Sequence, residues 1–212
     1  MAVITISRQF GAGGRTLGER LCERFGFRLV DEFVIDELAR KAKLKGDWLT
    51  AMEKEASSTL LSLLSNIVSS GGLLYRTPAS PGEDFERKKY KDFLRRIMTT
   101  MANEGGYLLL GRGAQIVLQD HPKVLRILLV AEYEDRVKFM VQRYSLSEEE
   151  AKKIIKEKES QRAAVATHIF GVEIDDPRIY HLTLNMSLMP FDWAVETAGD
   201  FFVRFRKNLG EI

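Results

Sequence analysis

Arg8, Gly11, Gly13, Gly14, Arg15 and Thr16 stand together in the stretch VITISRQFGAGGRTLGERL, residues 3–21. An apolar, β-rich run enters the stretch, three glycines fall within four residues, and an amphipathic run leaves it. A strand that ends in a glycine-rich turn before a helix leaves several backbone N–H groups unpaired and aimed at one spot. The helix dipole adds partial positive charge there, so the spot favours phosphate. Glycines let the backbone approach oxygen atoms closely. Thr16, in the first helical turn, offers a hydroxyl suited to Mg²⁺ and a phosphate oxygen. The usual phosphate loop, G-x-x-x-x-G-K-[ST], has its lysine where Gly14 stands and its first glycine where Arg8 stands. A guanidinium binds phosphate oxygens bidentately and can take the lysine's part, which makes Arg8 and Arg15 candidates. An ordinary glycine turn with solvated arginines is the competing reading.

The elements that must position this loop alternate along the chain. AVITI opens as a strand, and GRTLGERLCERFG follows as a helix with Leu17, Leu21 and Phe25 at helical spacing and Gly26 as a stop. FRLVD reads as a second short strand, and EFVIDELARKAK as a helix with Phe33, Leu38 and Ala42 inward. GYLLLG and VLRILLVA are continuous apolar runs, as strands of a parallel sheet are when both faces are covered. EYEDRVKFMVQRY and SLSEEEAKKIIKEKESQR read as charged helices, the second opened by a capping box of Ser147 and Glu150. YHLTLNM is a last strand, and PFDWAVETAGDFFVRFRKNL a closing helix with Pro190 at its start. Strands alternating with helices predict a doubly wound α/β sheet. The middle, about residues 47–87, departs from this and reads as a helical insertion over the sheet's carboxyl edge. Its leucines serve either core packing or a homodimer interface.

Composition narrows the class. At 212 residues the chain suits one domain, and 45% hydrophobic with 29% charged residues is ordinary for a soluble globular protein. A formal charge of +2 gives no long-range pull toward a nucleic acid polymer or a membrane. The single cysteine, Cys22, excludes an intrachain disulfide, which fits a reducing cytoplasm, and its apolar surroundings make it a packed thiol. The opening MAVITIS has no basic region or cleavage site, so no secretory signal is expected, and no apolar run is long enough to span a bilayer. His121, His168 and His181 have no metal-ligand spacing and read as structural or surface residues, with His168 near the lid described next.

ISRQFGAGG followed by LVDEF resembles the opening of the cytidylate-kinase-like family, relatives of bacterial CMP kinases whose loop lacks the lysine. YLLLGRGAQIVL is similar to that family's strand and G-R-G turn, RYSLSEEEAKKIIKEKESQRAAV to its lid, and DDPRIYHLTLNMSLMPFDWAV to its last strand and helix. The resemblance implies a three-layer α/β/α fold of the P-loop NTPase class, with a parallel sheet. It also implies an acceptor-binding insertion (about 47–87) and a lid (about 143–175) within one domain, residues 1–212. Gly11, Ala12, Gly13, Gly14, Arg15 and Thr16 would cradle the phosphates of ATP together with Arg8, and Thr16 would reach Mg²⁺. Asp31 and Arg112 would bind the acceptor, Arg112 its phosphate. Arg15, Arg143 and Arg162 would act on the transferring phosphoryl group, a reaction that asks for positioning, Mg²⁺ and positive charge.

The chain also departs from CMP kinases. Leu110 replaces the acidic residue before G-R, and in the lid only Glu159 and Arg162 stand where those enzymes have many aspartate–arginine pairs. The expectation is a cytoplasmic, ATP- and Mg²⁺-dependent phosphotransferase acting on small-molecule nucleotides, CMP or dCMP first, with no polymer or membrane partner. A nucleotide-binding regulator without catalysis and a kinase of a non-nucleotide small molecule are the alternatives.

Overall fold

The computed structural model describes residues 1–44, 84–173 and 175–212. Five parallel strands form one sheet among the described residues: β1 (Val3–Arg8), β2 (Arg28–Val30), β3 (Tyr107–Leu110), β4 (Val124–Val130) and β5 (Leu182–Asn185), in the order β2-β3-β1-β4-β5. β1 lies at the centre, so the chain turns to opposite sides of it. In such sheets the carboxyl edge beside the central strand is where ligands bind. No described helix is long and apolar enough to cross a membrane.

Two cores lie on the two faces of the sheet, which makes three layers. Val3, Val30, Leu109 and Val124 pack against α2 (Glu32–Leu44), α3 (Asp84–Glu104) and α4 (Ala114–Val117). Ile4, Ile6, Leu108, Leu110 and Leu129 pack against α1 (Gly14–Phe25) and α7 (Phe191–Asn208). The alternation of side chains along each strand sends neighbours to opposite layers, which is why these runs read as unbroken hydrophobic segments. A third, small cluster joins α5 (Tyr133–Tyr144) to α6 (Glu148–Ala164) through Val137, Met140, Ala151 and Ile155, with Phe10 packed on it. Phe10 follows β1, so this helix pair sits on the loop at the sheet's carboxyl edge.

The local signals hold at most ends. Gly26 ends α1 in a left-handed conformation, and Ser147 with Glu150 closes the capping box of α6. α6 runs on into a π-helical turn, Val165–Phe170, which the sequence pattern does not show. One expectation is corrected: Phe33 is exposed, and Val34, Ile35 and Leu38 form the buried face of α2. Asp31 caps this helix by accepting the N–H of Val34, and that start fixes the rotation which turns Phe33 outward. The side chain of Ala42 lies outside the described residues, as does the expected insertion apart from residues 84–87, which begin α3.

Candidate active site

The loop after β1 is held at both ends. Gln9 donates its N–H to Leu129 O (3.0 Å) and accepts the N–H of Ala131 on its side-chain oxygen (2.9 Å), which ties the loop to β4. Gly11 and Gly13 take φ values of 91° and 80°, where glycine is the residue without strain. Gly13 is the N-cap of α1, and the first intrahelical bond runs from Leu17 N to Gly13 O. The N–H groups of Gly14, Arg15 and Thr16 therefore have no acceptor inside the helix, and no acidic residue stands in this first turn. The arrangement is an anion cradle at a helix N-terminus.

Arg8 occupies the room of the missing lysine. A Cβ on Gly14 would stand 2.7 Å from Arg8 Cγ and 3.0 Å from Arg8 Cβ. A side chain at 14 and the arginine at 8 thus exclude each other, which accounts for both departures from the usual loop at once. The Arg8 guanidinium reaches Glu32, donating from Nη2 to both carboxylate oxygens at 2.9 and 2.7 Å. Burial pushes the Glu32 carboxyl up, but the charge and hydrogen bonds of Arg8 outweigh it, with Arg112 adding to them, and leave the group below its ordinary value.

The turn after β3 lies beside the cradle because β3 pairs with β1, and Gly111 N donates to Ile6 O at 3.0 Å. Gly111, Arg112 and Gly113 are all left-handed, with φ of 83°, 52° and 72°. For Arg112 this backbone costs about 1–2 kcal/mol, held by its surroundings. Its guanidinium pairs with Asp36, which also accepts the Tyr90 hydroxyl at 3.0 Å. Burial raises the Asp36 carboxyl above its ordinary value despite Arg112 and Tyr90. Arg112 Nε and both amide atoms of Gln115 have no hydrogen-bond partner among the described residues. A cavity of about 50 Å³ is lined by Ser7, Arg8, Glu32, Arg112, Gln115 and Arg162, among others.

The α5–α6 pair supplies further charge. Arg162, with its side chain 12% exposed, donates to Ser7 Oγ at 3.3 Å and pairs with Asp175 and, at 3.4 Å, with Glu159. Arg136, equally sheltered, donates to Phe10 O at 3.3 Å and stands 3.7 Å from Glu159. Glu159 accepts the N–H of Phe10. Phe170, at the end of the π-helical turn, lies against Gly113 so closely that a Cβ there would strike its ring.

A model of the cytidylate kinase-like family matches residues 3–188. The chain belongs to the cytidylate kinase-like family. Its members are kinase-type phosphotransferases with a nucleotide-binding P-loop, and the three-layer α/β/α sheet described above is that fold. A cytidylate kinase from Pyrococcus horikoshii is 28% identical over 185 residues, covering 87% of this chain and 80% of the relative. Two solved structures share the fold. An uncharacterized protein from Eubacterium ventriosum superposes with a TM-score of 0.65 at 16% identity, over 95% of this chain and 98% of its own. A gluconokinase from Sinorhizobium meliloti gives 0.52 at 14% identity, over 98% and 95%.

Of the residues singled out by the cytidylate kinase-like pattern, Arg8, Arg112 and Arg162 converge on one cavity beside the cradle. Arg15 turns outward, its side chain 50% exposed, and pairs with Asp31 (2.6 Å) and Glu19 (3.0 Å). Asp31 therefore binds Arg15 and caps α2 at the same time. Thr16 is half-buried in the first turn of α1. Arg143 is exposed in the last turn of α5 and does not line the cavity. The α5 arginine that meets the loop is Arg136, which sequence reasoning passed over together with Glu32, Asp36 and Gln115. Asp175 was visible only as the opening of the D-D-P-x-x-Y motif.

Proposed function

We propose that this protein transfers the γ-phosphoryl group of ATP to a nucleoside monophosphate, with CMP or dCMP as the first choice. The convergence of Arg8, Arg112 and Arg162 on one cavity beside the glycine cradle carries this reading. The 28% identity to a cytidylate kinase favours a pyrimidine acceptor. The amides of Gly11 through Thr16 would hold the donor phosphates, and the Thr16 hydroxyl would hold Mg²⁺, which would supply neutralisation of the phosphate charge. Arg8 supplies the charge that a loop lysine supplies elsewhere. Arg112 takes the acceptor phosphate, and Arg162 spreads positive charge over the transferring group and helps exclude water. Arg15, from its place beside Asp31, steadies the loop's flank. No side-chain base is needed when the acceptor is already an anion. The α5–α6 pair and the turn after it act as the lid. The compartment in this reading is the cytoplasm, and the partners are small nucleotides, with a homodimer through the segment 47–87 as a further expectation.

The test is ADP release by the full chain with ATP-Mg²⁺ and CMP, dCMP, UMP, AMP and GMP in turn. Turnover with a pyrimidine monophosphate, lost in Arg112→Ala, is the expected result. No turnover with any of them would end the monophosphate reading. ATP binding without turnover would then favour a non-catalytic nucleotide binder. Arg8→Ala should weaken ATP binding, and unchanged binding would remove Arg8 from the lysine's role.

A further inference from the structure

Glu159 lies far from the glycine loop in sequence, yet its carboxylate accepts the Phe10 N–H inside that loop. Arg162 and Arg136 stand 3.4 and 3.7 Å from the same carboxylate, each with its side chain only 12% exposed. Arg136 also holds Phe10 from the other side through its carbonyl. One anion is thus gripped by a loop amide and two sheltered guanidinium groups. That donor set is the one a phosphoryl group asks for. The adjoining cavity of about 50 Å³ has room for water, whereas nucleotide-sized ligands need roughly 300 Å³ or more. For a phosphate to reach the Phe10 N–H, Glu159 must part from it.

We propose that Phe10 N–H, Arg136 and Arg162 form an anion subsite for a phosphate group of the nucleoside triphosphate, and that Glu159 fills it until the triphosphate displaces it. The inference rests on the kinase reading for the identity of the ligand. The subsite belongs to the donor because Phe10 is part of the donor loop. A tethered carboxylate carries less charge than a triphosphate, so it yields, but its occupancy lowers the apparent affinity by the fraction of empty sites.

The experiment is calorimetric titration of the full chain with ATP, inorganic tripolyphosphate and CMP separately. It uses wild type, Glu159→Gln and Glu159→Asp, the last too short to reach Phe10 from the same backbone. Glu157→Gln, on an exposed position of the same helix, controls for the general loss of one negative charge. ATP and tripolyphosphate should bind about tenfold more tightly to Glu159→Gln, which removes the charge facing Arg136 and Arg162, and more tightly by a smaller factor to Glu159→Asp, which frees the Phe10 N–H but keeps its charge. CMP affinity should change less than about twofold, as should all affinities of Glu157→Gln. Unchanged or weaker ATP binding in the Glu159 variants would overturn the proposal and make Glu159 a support for Arg162. Equal tightening in Glu157→Gln would overturn it as a plain charge effect. Absence of any triphosphate binding, in wild type and variants alike, would remove the donor loop and the subsite together. Tightened ATP binding in a protein that phosphorylates no monophosphate would leave the subsite standing and remove only the acceptor.

Discussion

Gly14→Ala tests directly whether Arg8 fills the space of the absent lysine. Gly14 opens α1 and is not left-handed, so alanine meets no backbone strain there. On backbone grounds the change should stabilise by about 0.4–1 kcal/mol, because the unfolded chain becomes stiffer. In the native loop, however, the new Cβ would stand 2.7 Å from Arg8 Cγ and 3.0 Å from Arg8 Cβ. The Arg8 Cβ is fixed by β1, so relief requires the rest of the side chain to swing away. That movement draws Nη2 from Glu32, where it makes two bonds of 2.9 and 2.7 Å. Overpacking of this kind costs about 1–3 kcal/mol. Loss of the partly solvent-screened pair adds about 1 kcal/mol at most.

Gly14→Ala should therefore destabilise the wild-type chain by about 1–3 kcal/mol, the overpacking and pair losses partly offset by the backbone gain. In an Arg8→Gly background both the Cβ and the Cγ are gone, and the same substitution should stabilise by up to about 1 kcal/mol. The sign reverses, and the double-mutant cycle should give a coupling of about 1–4 kcal/mol. Urea unfolding of the four proteins measures it, and for a chain of this size each kcal/mol moves Tm by about 2–4 °C. A coupling below about 0.5 kcal/mol, or a wild-type chain stabilised by Gly14→Ala, refutes the shared-space argument.

Other outcomes follow from the same contacts. Glu32 titrates below its ordinary value of 4.5, so its contribution is present above that pH and is lost as pH falls through its lower folded value. The stability gap between wild type and Glu32→Gln, read by urea unfolding, should be full near about pH 7 and shrink below about pH 4.5; a gap independent of pH contradicts it. The Cys22 thiol is pushed up to about 12 by burial, with Glu19 and Glu23 adding to it. Its alkylation at about pH 8 should run on the order of 10³-fold slower than that of a free cysteine and recover in urea. Gly113→Ala should cost about 2–5 kcal/mol, since it adds displacement of Phe170 to the left-handed penalty. Gly26→Ala, left-handed with nothing within 4 Å of the new Cβ, should cost only about 1–2 kcal/mol. Equal losses would show that the Phe170 contact carries no weight.

What could be read in advance was local. The loop, the Gly26 stop, the capping box and the buried strands each depend on residues a few positions apart, and each is where the pattern puts it. The choice between Arg8 and Arg15 was not local. Both flank the glycines, and only the packing of Arg8 over Gly14, with Asp31 drawing Arg15 outward, separates them. Arg143 and Arg136 share a side of α5, but seven residues span about 10 Å of helix, which carries Arg143 past the loop. Spacing tells which side an arginine takes and not how far along the helix its target lies. The buried stripe Phe93, Leu94, Ile97, Met98 and Met101 has clear helical period and was open to the same reasoning that found α1. Glu32 and Asp36 gain their partners only when α2 is laid beside β1 and β3, which no spacing within α2 announces.

The ion pairs explain how so many arginines can wait in one cleft. Arg8 faces Glu32, Arg112 faces Asp36, Arg162 faces Asp175 and Glu159, and Arg15 at the flank faces Asp31. Unpaired guanidinium groups at this burial would repel one another and lose hydration without return. Matched with carboxylates, they are held in position, and on the proposed reading an arriving phosphate would exchange with a carboxylate instead of creating a new buried charge. This also gives a reason for arginine over lysine at the loop. An ammonium is a compact point charge with three donors, whereas a guanidinium has five in a fixed fork. Arg8 uses Nη2 on Glu32 and keeps Nη1 toward the turn at Gly111. On the proposed reading, Arg8 would in this way hold the turn after β3 and meet a donor phosphate at once, a bridge that a lysine rising from position 14 could not make.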